Sequence, residues 1–172
     1  DKHIPLIQNV MNTNIVAGVS DESCDSLNVL FNTPTGRRYL VDRRQLDPGL
    51  VAGLGLLGLS GIANMLAAIK TARLLGLGEN DAIFTVATDG ADLYVSERMA
   101  MEKSAFPDGF DAVNAGEVYA RHVRCVDHDT ELALCPRIHH DNGYVKRQPV
   151  GSGFQIRCRF GLGFRCGFRL EG

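Results

Sequence analysis

The apolar positions of this chain fall into blocks whose spacing changes from one block to the next. Residues 4–7 and 14–19, the latter with Ile15, Val16, Ala17 and Val19, read as short extended pieces around an Asn-Thr-Asn turn. Ser20 then precedes "DESCDSLNVLF", with Asp21 and Glu22 in the first turn and Leu27, Val29, Leu30 and Phe31 behind them. A capping hydroxyl followed by acidic residues predicts a helix start, and "NTPTG" its end. "RRYLVDRRQLDPGLVAGLG" predicts a short helix, a turn at Asp47-Pro48-Gly49, and then an apolar strand or helix.

Residues 61–75 carry the clearest helical signal. Ile62, Met65, Leu66, Ile69 and Leu75 mark one face at a period of about 3.6, with Lys70 and Arg73 away from its centre. Gly76 and Gly78 supply the stop. "NDAIFTVAT" at 80–88 is short and almost wholly apolar, which predicts a strand buried on both faces of a parallel sheet. "DGADLYVSERMAMEKSAF" turns at Asp89-Gly90 and becomes helical. The sum is an α/β rhythm. The tail differs. From Phe154 to Phe164 apolar residues alternate with Gln155, Arg157, Arg159 and glycines, a period of two that predicts a hairpin, or no stable structure where glycines crowd it.

Composition changes this picture in one respect. With 45% hydrophobic and 22% charged residues and a net charge of −2, the whole is ordinary and offers no general pull toward nucleic acid. Residues 1–119, however, hold 9 Lys+Arg against 15 Asp+Glu, whereas 120–172 hold 9 against 5. Cys125, Cys135, Cys158 and Cys166 also lie in that last part. Two units are expected, 1–119 and a basic, Cys/Gly/Arg-rich tail at 120–172. No apolar run has the length of a membrane span and no signal-peptide pattern opens the chain, so a soluble, cytoplasmic protein is expected. The opening "DKHIPLIQNV", without Met, is explained by simple trimming or, more sharply, by the chain being the later part of something longer.

Ser60, in "GLSGIA" at 58–63, is the first candidate for chemistry. Serine is a good helix cap, and that use alone explains it. The same place, a loop beside a glycine at the end of an apolar run, is also where α/β sheets bind ligands. Asp89 and Asp92 lie near a predicted strand end, although turn chemistry accounts for Asp89-Gly90. Cys125, His128, Cys135, His139 and His140 lack the tight Cys pairs of structural zinc sites, so no metal is expected.

The ordered set "HIP" at 3–5, "GLSGIA" at 58–63 and "TVATDGADLY" at 85–94 resembles the carboxyl-terminal half of the fold-type II pyridoxal-phosphate enzymes, such as cysteine synthase and the tryptophan synthase β chain. The likeness covers roughly residues 1–110. It implies an incomplete three-layer parallel-sheet α/β domain of the tryptophan synthase β-like type, followed by an irregular or β-rich basic tail. It implies pyridoxal 5′-phosphate as cofactor, an amino acid as substrate, and β-elimination or β-replacement as the reaction. Ser60 matches the family serine facing the pyridine nitrogen, and Thr88 is a second candidate for that contact. His3 falls where the family's chain passes the substrate, although a solvated histidine near a chain end explains it better.

The departures are specific. Lys2, Lys70, Lys103 and Lys146 all lack the context of the family's Schiff-base lysine, and no phosphate-cradling glycine loop is present. The resemblance therefore implies a fragment that is inactive alone, with homodimers common in the family. No membrane or nucleic-acid partner is expected on this reading. The alternative is a non-enzymatic α/β remnant whose Phe/Arg tail binds nucleic acid or a protein. A shifted reading frame would also produce such a tail.

Overall fold

The computed structural model describes residues 15–78 and 80–124, and the backbone of three further strands, 132–134, 155–159 and 165–169. Residues 4–7, His3, and the Cys and His residues considered for zinc lie outside the described residues.

After β1 (Ile15–Ala17), Ser20 caps α1 (Asp21–Asn32), its side chain accepting from the Ser23 N–H at 3.2 Å. Thr33 ends α1 and at once caps α2 (Pro34–Asp42), accepting from the Gly36 N–H. One residue thus serves two helices, and Pro34 sits in the first turn of α2, where a missing N–H costs nothing. The reversal is so tight that a Cβ on Gly36 would lie 2.0 Å from the Leu30 carbonyl oxygen. Asp47 caps α3 (Pro48–Leu54), so the ambiguous apolar stretch there is helix. Then come α4 (Leu59–Leu75), a 3-10 turn at Ala91–Tyr94, α5 (Val95–Ala105), α6 (Ala112–Tyr119) and a π turn at Ala120–Arg124.

Helix α1 is the centre, touching α2, α3, α4, α5 and α6. Leu27 and Leu30 are fully buried there against Leu40, Leu54, Leu57, Ile62 and Leu66. Burial of one such side chain contributes roughly 1.5–3 kcal/mol, and these overlapping contacts hold the bundle. Helix α4 buries Ile62, Met65, Leu66 and Ile69 as its period predicts. It also buries Ala68 and Lys70, while Leu75, expected on the apolar face, is 43% exposed. The Lys70 ammonium reaches the Gly18 carbonyl at 2.6 Å, which brings the chain after β1 onto α4.

The parallel-sheet expectation fails. The protein is mostly helical, and among the described residues strands pair only as two antiparallel ribbons. One joins β1 to β2 (Leu132–Leu134); the other joins β3 (Gln155–Arg159) to β4 (Arg165–Arg169). In the tail, β3 and β4 are the described residues, paired from Gln155 opposite Arg169 to Arg159 opposite Arg165. The expected strand at 80–88 is not formed: no backbone–backbone hydrogen bond involves residues 82–88 among the described residues. An apolar run reports the wish to be buried, not the presence of a paired neighbour, and strand structure requires that neighbour. The helices bury their apolar faces on one another instead.

Among the described residues no single helix is long and apolar enough to cross a membrane; α3 and α4 pass that test only together, and they are bent by 119°.

Candidate ligand site at the start of α4

Ser60 does not cap α4. The N-cap is Gly58, without a side-chain bond, and Ser60 is the second helical residue. The Gly58 N–H donates to the Asp89 carbonyl at 2.8 Å. A Cβ on Gly58 would meet Tyr94 at 2.8 Å and Asp89 at 2.9 Å, so only glycine lets the two segments approach this closely.

The approach sets the Asp89 carboxylate at the positive end of the α4 dipole. Its Oδ1 accepts from the Ser60 hydroxyl at 2.6 Å and the Thr88 hydroxyl at 3.0 Å; its Oδ2 accepts from the Tyr94 phenol. The bonds from Ser60 first, then Tyr94, and lastly Thr88 hold the Asp89 carboxyl below the usual carboxylate range. The same bond pushes the Tyr94 phenol above its ordinary value. Asp89 is therefore an anion at neutral pH and a hub rather than only a turn residue.

Ser60 and Thr88, 28 residues apart in sequence, meet with their hydroxyl oxygens 3.1 Å from one another. Both are exposed. Each hydroxyl carries one hydrogen. Ser60 spends its hydrogen on the shorter bond to Asp89. The Thr88 hydrogen lies between two longer options, Asp89 at 3.0 Å and Ser60 at 3.1 Å, and is the one available to an outside acceptor. The cluster can thus present one neutral donor beside a fixed anion. Asp92 takes no part in these bonds.

A pyridoxal-phosphate site needs such a donor for the ring nitrogen, an amine for the carbonyl carbon, and a cradle for the phosphate. Thr88 and Ser60 fit the first need. Lys70 lies on α4 about 15 Å along the helix from Ser60 and is committed to Gly18, and Lys103 belongs to α5. Neither supplies the second, and no glycine-rich loop among the described residues supplies the third. Nor do the described residues hold any group of three metal-ligating side chains.

A second polar group escaped the sequence reading. His122, buried in the π turn, sets its Nδ1 3.0 Å from the Ser23 hydroxyl, which stands 2.8 Å from that of Ser20. Burial holds the imidazole below its ordinary value, and Arg121 adds to this while Glu22 opposes it. A cavity of about 640 Å³ opens beside it between α1, α5 and α6, walled by Met101, Phe106 and Val118. Ser23 and His122 are 99 residues apart, so no local spacing signals the pair.

No protein family, curated protein or solved structure matches this chain.

Proposed function

We propose that the chain is the ring-contacting part of a pyridoxal-phosphate-dependent lyase or synthase acting on amino acids by β-elimination or β-replacement. One observation carries this reading: Ser60 and Thr88, named for the same ring contact by the resemblance, meet at 3.1 Å beside an open surface. When bound, the cofactor supplies the electron sink for the substrate's Cα. The chain supplies the environment of the ring nitrogen. Thr88 donates to it, Ser60 stays on Asp89, and Asp89 keeps the pair oriented. A neutral hydroxyl donor at the ring nitrogen, unlike a carboxylate, does not favour its protonation, and Asp89 itself stays engaged by Ser60 and Tyr94. The nitrogen then stays largely unprotonated, which tempers the sink and suits chemistry at Cβ.

On this reading neither the lysines nor the glycines of this chain supply the amine and the phosphate cradle, so the chain alone is inactive. A second copy of the chain belongs to this reading as a homodimer partner. The cytoplasm is its place, where a buried thiol such as Cys24 stays reduced.

The test uses 4′-deoxypyridoxine 5′-phosphate, which has the ring and phosphate but no aldehyde to react with surface lysines. At saturation it should raise the thermal midpoint of the chain. Thr88→Val should remove the rise, and Ser104→Ala, on the remote α5, should keep it. An equal rise in a folded Ser60→Ala/Thr88→Val double variant would overturn the assignment.

A further inference from the structure

Residues 82–88 have the burial pattern of a strand and the bonding of none. Exposure alternates along them: Ile83, Thr85 and Ala87 are half-buried, and Phe84, Val86 and Thr88 are exposed, with Phe84 at 88%. In such a segment the N–H and C=O of one residue point to the same edge, and those of the next residue to the other. The edge of Phe84 and Val86 faces α4, because the Asn64 side-chain amide donates to the Val86 carbonyl at 2.8 Å. The opposite edge belongs to Ile83, Thr85 and Ala87. Their backbone N–H and C=O groups have no bonding partner among the described residues.

We propose that this edge is a docking strand for an extended peptide with alternating β-branched side chains and basic ends. The backbone of the partner would pair with Ile83, Thr85 and Ala87. Its β-branched side chains would lie beside Phe84 and Val86, which lack cross-strand neighbours. The basic ends follow from charge. The neutral run 82–88 is bounded by Asp81 and by Asp89, the latter held ionised by its three donors. A second copy pairing antiparallel about Thr85 would set Asp81 opposite Asp89 at both ends, and like charges directly opposite destabilise a ribbon. A partner with Lys or Arg at both ends meets those carboxylates favourably. This inference is independent of the cofactor reading.

The experiment mixes the full chain with a short peptide of alternating valine and threonine flanked by lysines, and follows amide hydrogen exchange residue by residue. The peptide should slow exchange at Ile83, Thr85 and Ala87 by about tenfold or more at saturation. Thr85→Pro, which removes an N–H that has no backbone–backbone bond here, should weaken binding by about tenfold. A peptide N-methylated along its pairing edge should fail likewise without any change to the protein. Glutamates in place of the lysines should weaken binding. Unchanged exchange at these amides, or equal binding by the N-methylated peptide, overturns the proposal. Protection that appears without peptide and grows with protein concentration overturns it in favour of a second copy.

Discussion

Helices α1 and α5 differ in length by one residue, yet they are held by different physics. Of the 12 residues of α1, seven are buried, and its start is capped by Ser20 and braced by Ser23 against His122. Helix α5 buries none of its 11 residues and has no side-chain cap. Its sequence, "VSERMAMEKSA", is rich in strong helix formers, and Arg98 faces Glu102 one turn on at 3.4 Å. It lies along α1, with Arg98 donating to the Asn32 carbonyl at 3.1 Å and Asn28 donating to the carbonyl of its N-cap residue Tyr94. One helix exists because the core needs it. The other is shaped by local propensity and rests on α1 without burying a residue.

The comparison can be broken most sharply at Leu30. Leu30→Ala should destabilise the fold by about 2–5 kcal/mol in chemical denaturation, since the cavity opens between helices that cannot close on it. A loss below about 1 kcal/mol would mean that α1 is not the centre. Ser20→Ala should cost about 1 kcal/mol by the same measurement.

Acidity sharpens the comparison further. The folded state holds the His122 imidazole below its ordinary value, so the unfolded chain takes up this proton first as pH falls. The stability that neutral His122 contributes is complete above the unfolded value of about 6.5, and it is lost as pH falls from there through the folded one. His122→Gln should flatten that part of the stability profile. At the other end of the scale, burial first, then Asp25 and Asp21, push the Cys24 thiol up to about 11. The unfolded thiol ionises earlier, so stability from this group is present below pH 9 and fades as pH rises toward 11. Native Cys24 should accordingly resist alkylation at pH 8 until denaturant is added. Smallest of all, Met99→Ala on α5, where Met99 is 62% exposed, should change global stability by no more than about 0.5 kcal/mol.

The same contrast explains what could be read before folding. Helix α1 was legible because its cap, acidic first turn and apolar block are local signals. Helix α4 was legible by its period, but Lys70 was misplaced, since only the fold brings the Gly18 carbonyl to its ammonium. The segment 80–88 was misread for a related reason: its apolar content is local, whereas pairing belongs to a neighbour. Ser60 and Thr88 were named through the resemblance, and their meeting is geometric. Asp89, set aside as a turn residue, turned out to organise them, because Tyr94 and Ser60 reach it from different elements. Ser23 and His122 gave no signal at all.

The bond from Asn64 to the Val86 carbonyl has a consequence beyond holding a loop. A side-chain amide has the same donor group as a peptide unit, so α4 here acts as a dummy neighbour that sets the phase of the segment. Sliding 82–88 by one residue would turn Phe84 inward and Ile83 outward, and would pull Asp89 off Ser60. Asn64 and Asp89 together work as two pins in a ruler. Whatever comes to lie alongside meets a scale whose zero is already marked.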